Sequence, residues 1–177
     1  MFIGHLPAGY LLTRSLGRAL RVTGWMWLGL LASVFPDIDL AWFYLVDHRR
    51  AMHHHYWIHR PFDWLLIGAA WIGLGVALKS PRLRTAAYIA LPNIFLHLLL
   101  DSIVGKIDWL YPWSRRGYSV FEVKPAHHEW YVANYLFHWT FCFEIFVLTW
   151  AGVTLWRELT ASQRAAAQRF KAAASSS

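Results

Sequence analysis

Cysteine is nearly absent from this chain: Cys142 is the only one in 177 residues. An internal disulfide and any multi-cysteine zinc site are thereby excluded, so a bound metal would have to use nitrogen and oxygen ligands. Charge is scarce too, at 15% of residues, against about 25% in a soluble domain. No Gly-x-Ser-x-Gly elbow, phosphate loop or dinucleotide fingerprint occurs, which argues against a serine hydrolase and against nucleotide-dependent chemistry. No secretory signal peptide is expected, because nothing basic precedes the first apolar stretch and no small-residue cleavage site follows it. The formal charge of +7 does not point to nucleic acid: the basic residues cluster in short links and in the tail, as the positive-inside bias produces, and no nucleic-acid-binding motif accompanies them.

What the chain does have is apolar and aromatic sequence. It is 57% apolar and 18% aromatic, with twelve Trp and eight Tyr, a composition suited to the aromatic belts of a bilayer interface. Four apolar stretches stand out, at 22–35, 62–78, 85–104 and 130–156, with a weaker fifth at 1–16. The first two are shorter than the ~20 residues a bilayer crossing needs, and helix packing or local thinning would have to compensate. The expected fold is all-α: a polytopic membrane bundle of about four to five embedded helices over residues 1–159. A polar, Ala- and Ser-rich tail, too polar to cross lipid and expected to fray, would follow over 160–177. Arg14, Arg18 and Arg21, then Lys79, Arg82 and Arg84, then Arg157, Arg164, Arg169 and Lys171 fall on one side if each strong stretch crosses once. That side, with the C-terminal tail, should be cytoplasmic.

Ionisable side chains are costly in lipid, so their places mark candidate sites. His97 and Asp101, four apart, share a helical face and can serve one metal, or the Asp can orient the His. Asp37 and Asp39 follow Pro36, where the run 25–36 should end. One of them could simply cap the next helix, but two carboxylates so close can also bind a cation. His53, His54, His55 and His59 crowd the following link. His138 and Glu144 lie six apart in the last stretch and share no face, and a carboxylate two turns below His138 should be paired or ligating. His127, His128 and Glu129 read as surface. With the topology above, Asp37, Asp39, the histidine cluster, Asp101, His138 and also His5 all lie toward the non-cytoplasmic face.

These residues resemble the pattern of a known family, the YdjM-like, LexA-binding, inner-membrane-associated metal-dependent hydrolases. The family shows an N-terminal His followed by a Gly, then Pro-Asp-x-Asp, His-Arg-x-x-Thr-His and His-x-x-x-Asp. Here the matches are His5 with Gly9, Pro36-Asp37-Ile38-Asp39, His54 with His59, and His97 with Asp101. His55 and Ile58 replace the Arg and Thr of the third motif. The resemblance implies a hydrolase of the bacterial inner membrane acting on a small-molecule or lipid substrate. It implies a metal set of His5, Asp37, Asp39, His54, His59, His97 and Asp101, with His138 and Glu144 as lesser additions. Asp39 and His59 would be catalytic, Asp39 as general base. Zinc is the leading metal, with iron or manganese as alternatives. Two other readings compete. One is a desaturase-type di-iron oxygenase using His48, His53, His54, His127 and His128; the other is a non-enzymatic membrane protein, structural or haem-binding, with His97 and His138 as ligands.

Overall fold

The computed structural model describes residues 3–48, 54, 56–121 and 131–175. Proline and small polar residues punctuate the apolar sequence into helices. Helix α1 (His5–Ala19) is followed by α2 (Met26–Val34), a 3-10 turn (Phe35–Ile38) and α3 (Asp39–Leu45). A second 3-10 turn (Trp57–His59) leads into α4 (Pro61–Ala77), and α5 (Pro81–Asp101) comes next. Helices α6 (Tyr131–Leu136) and α7 (Phe141–Ser175) complete the described chain. Pro61 and Pro81 open α4 and α5, where a missing N–H costs nothing. Ser80 Oγ caps α5 by accepting from the Leu83 N–H. The fold is all-α; among the described residues the only bridge pairing is Ile107 with Tyr118.

Helix α5 is the axis, packing against α1, α2 and α4. Its Ala90, Ile94 and Leu98 join Ala32, Ile58 and Trp64 in one core cluster, and Leu100 joins Ala8 and Val147 in a second. Helices α1 and α2 approach closely because Gly9 faces Ser33 and Gly29 faces Thr13; a Cβ on either glycine would collide with the opposing side chain. Small-residue contacts of this kind replace the hydrophobic effect where helices pack in lipid. The buried Asn93 ties α5 to α1, its Nδ2 donating to Thr13 Oγ1 at 3.0 Å and to the Ile89 carbonyl at 2.8 Å.

Many large apolar side chains lie on the exterior. Trp27 is 77% exposed, and Leu31, Leu65, Trp113 and Phe137 are also exposed, a surface that suits hydrocarbon rather than water. The segments Met26–Leu45 and Pro81–Asp101 are each long and apolar enough to cross a bilayer, while Pro61–Ala77 is apolar but shorter.

Three details differ from the sequence expectation. The α-helix stops before Pro36 as expected, but the apolar segment does not: a 3-10 turn carries it on, helix re-forms at Asp39, and both aspartates lie inside the 20-residue candidate span. Neither acts as a cap, since the N-terminus of α3 has no side-chain cap hydrogen bond. The stretch 130–156 is not one helix but is interrupted at 137–140, which places Glu144 in the first turn of α7 rather than two turns down a helix. The tail does not fray after residue 160 but continues α7 to Ser175, as its alanines, arginines and glutamines favour.

Candidate metal centre

Four elements deliver ionisable side chains to one end of the bundle. The i, i+4 spacing at the end of α5 stacks His97 over Asp101, and the 3-10 turn after α2 brings Asp37 beside them. The turn before α4 presents His59, and the first residue of α1 is His5. His5, Asp39, His59, His97 and Asp101 are all buried.

Asp101 is the hub. Its Oδ2 lies 3.0 Å from His97 Nε2, 3.6 Å from His59 Nε2 and 3.6 Å from His54 Nε2. Its Oδ1 lies 3.1 Å from His5 Nε2. Asp37 Oδ1 also meets His97 Nε2, at 3.5 Å. The His5 ring stacks on His97 with centroids 3.9 Å apart. One ligand atom from each of Asp37, His59, His97 and Asp101 falls within 4.8 Å of the others. Donor atoms about 2.0–2.2 Å from a tetrahedral ion sit roughly 3.4 Å from each other, and the spacings around His97 and Asp101 scatter about that value.

The far side of each central ring is fixed as well. His97 Nδ1 donates to the Ser33 carbonyl at 2.8 Å. A carbonyl can only accept, so in the neutral ring the lone pair falls on Nε2, which faces the two carboxylates. His59 Nδ1 is bound by Asp39 Oδ2 at 2.8 Å, the carboxylate–histidine arrangement that orients metal-ligating imidazoles. Burial alone would lower the His59 imidazole; hydrogen bonds with Asp101 and Asp39 outweigh this and push it up to about 9. A metal bound at this ring would have to displace that proton.

The structure thus brings together His5, Asp37, Asp39, His54, His59, His97 and Asp101. It separates Asp39 from the others in kind, because Asp39 contacts the ring of His59 on the face away from Asp101. His54 and His59 converge on Asp101 without sharing a helical face. The lesser candidates go elsewhere. His138 Nδ1 bonds to Thr140 Oγ1 at 2.8 Å, in the break before α7. Glu144 is fully buried but serves the chain entry to α1, accepting from the backbone N–H of Ile3 at 2.6 Å and of Gly4 at 3.0 Å, and from the Tyr135 hydroxyl. Neither belongs to the group of ligand atoms that could share an ion. His53, His55, His127, His128 and Glu129 lie outside the described residues, and with them most of the di-iron reading. Of the two histidines in the haem reading, His97 stacks on His5 and His138 bonds to Thr140.

Two contributors carried no signal in the sequence. Ser33 acts through its backbone carbonyl, which no side-chain pattern reveals. Gly105 leaves room for His54, whose ring a Cβ there would strike; a glycine just past a helix reads as a terminator.

Fold and site together define a helical membrane protein with a buried histidine–aspartate cluster at one end of its bundle. The chain belongs to the YdjM inner membrane protein family, whose pattern matches residues 1–169. No curated protein and no solved structure matches it.

Proposed function

We propose that this protein is a membrane-bound, metal-dependent hydrolase. The reading rests on the convergence of Asp37, His59, His97 and Asp101 onto one point, with Asp39 and the Ser33 carbonyl orienting the two central imidazoles from behind. Those four side chains hold a divalent ion, zinc first among candidates for a nitrogen and oxygen donor set, iron or manganese next. A metal held there supplies Lewis acidity to a scissile bond and activates water for hydrolysis. Asp39 is a positioning residue in this scheme rather than the general base, since its Oδ2 is committed to His59 Nδ1. His5 and His54 flank Asp101 and complete the wall.

The chain sits in the bacterial inner membrane with four to five embedded helices, its cluster toward the non-cytoplasmic face and its C-terminal helix in the cytoplasm. Its substrate is a small molecule or a lipid, and nucleic acid is not a partner. The test is the metal content of detergent-purified protein for wild type, His97→Ala and Asp101→Ala, followed by an ester-hydrolysis panel on the metal-loaded wild type. About one equivalent in wild type and loss in both variants is expected. Equal, negligible metal in all three overturns the metal centre, and bound metal without turnover of any ester overturns the hydrolase.

A further inference from the structure

The opposite end of the bundle contains a second polar feature that the metal reading does not use. Where α1 turns into α2, a cavity of about 530 Å³ is lined by Arg14, Arg18, Arg21, Trp25, Met26 and Glu158, among others. Arg14 and Arg18 sit at i and i+4 on one face of α1, and Arg21 follows in the turn beyond its end. Glu158 is the single carboxylate among the lining residues. It ion-pairs with the Arg14 Nε and accepts from Tyr10 Oη at 2.8 Å, while Arg18 Nη2 reaches it only at 3.5 Å. Three guanidiniums against one carboxylate leave an excess of two positive charges at a cavity wall.

Arg21 is held there against its backbone preference. It occupies the left-handed region at φ 53° in the turn that ends α1, where its N–H donates to the Arg18 carbonyl and the Val22 N–H to the Gly17 carbonyl. Glycine usually takes that position. An arginine there carries backbone strain, and Arg21 is one of the residues that line the cavity. Arginine is also the side chain best matched to phosphate oxygens. Helix geometry places this cavity about 20 Å from His5 along α1, so the two features are separate. Tryptophan at the rim is usual for a site at headgroup depth.

We infer that this cavity binds a phosphate-bearing anion, held by Arg18 and Arg21 with Arg14 kept in place by Glu158. The chemistry is shared by an anionic phospholipid headgroup and by a free phosphate ion, and the apolar surroundings favour the lipid. The proposal is independent of the metal centre, so metal content and anion binding can fail separately.

The test uses the full chain in nanodiscs of phosphatidylcholine with one-fifth phosphatidylglycerol, released for native mass spectrometry. Wild type, the Arg18→Gln/Arg21→Gln double variant and a tail control, Arg169→Gln, are compared; all three positions are exposed, so the fold should survive. Wild type and the control should retain phosphatidylglycerol in preference to phosphatidylcholine, and the double variant should lose about 25-fold in retention, two surface charges' worth. In parallel, detergent-purified protein is heated with millimolar inorganic phosphate. A thermal shift lost in the double variant, without lipid preference in the first arm, keeps the site and assigns it to a soluble anion. Equal lipid retention and equal phosphate response in wild type and double variant overturn the proposal.

Discussion

The two ends of this bundle treat charge in opposite ways. At the histidine end, His5, Asp39, His59, His97 and Asp101 are buried and converge, each held by another member or by backbone. At the arginine end, Arg18 and Arg21 are exposed and one carboxylate, Glu158, serves more than one guanidinium. The same helices supply both ends: α1 carries His5 and Arg18, and α5 carries Arg84 and Asp101. Burying a cluster of ionisable groups is costly unless every charge is compensated. Exposed arginines near a membrane surface carry no such cost and respond to whatever anions are present. The first arrangement suits a fixed ion at defined geometry, the second a replaceable anion.

That contrast is broken most severely at the hub. Asp101→Ala removes the carboxylate that four imidazoles approach, and its expected outcome is loss of metal affinity by well over 100-fold together with a lower melting temperature. Elemental analysis and thermal unfolding in detergent check both. A full equivalent retained in Asp101→Ala would mean that the ion is held without the hub, and negligible metal in both proteins would make the histidine end merely structural. Asp39→Asn is gentler, because it acts through His59: affinity should fall about 10- to 100-fold, as for other orienting partners of ligands, while the stoichiometry at saturating metal stays the same. A metal titration separates the two, and a lost equivalent in Asp39→Asn would make Asp39 a ligand.

Glu144→Gln probes a buried carboxylate that holds the chain entry to α1 at the histidine end. It replaces a charged acceptor of two backbone N–H groups and a tyrosine hydroxyl with a neutral one. About 2 kcal/mol of stability should be lost, read as a fall in the melting temperature. Metal affinity should weaken less than in Asp39→Asn, since His5 follows the released segment directly.

How much of this was legible in the chain depends on what kind of group does the holding. His97 and Asp101 were readable because their spacing is a helical repeat, and Asp37 because a doubled aspartate after proline is hard to explain as a cap. The convergence of His54 and His59 on Asp101 was readable only through the motif order, since neither spacing nor periodicity joins a link to the far end of a later helix. The true role of Glu144 was hidden by a helix break at 137–140 that an unbroken apolar stretch does not announce. His138 and Glu144 seemed to belong to the site because they lie in apolar sequence, but a buried polar group needs only a partner, and theirs are local hydroxyls and backbone. The tail was expected to fray because it is too polar to cross lipid, although its alanine content already favoured the helix that forms. The backbone carbonyl of Ser33 and the space at Gly105 have no sequence signature, because each acts without a side chain.

The smallest expected effect lies at the arginine end and has the opposite sign. Arg21→Gly places the preferred residue at φ 53° and should stabilise the α1 terminus by about 1 kcal/mol, while lowering retention of phosphatidylglycerol. Lys79 supplies the internal comparison. It ends α4 in the same conformation, at φ 49°, with the same pair of backbone hydrogen bonds, to Val76 and from Ser80 to Gly75, but it does not line the cavity. Lys79→Gly should therefore give the same gain in melting temperature with lipid retention unchanged. If both variants lose lipid equally, the arginine end is a diffuse basic surface with no site in it. If Arg21→Gly alone does, strain at Arg21 is the cost of placing one guanidinium where an anion binds.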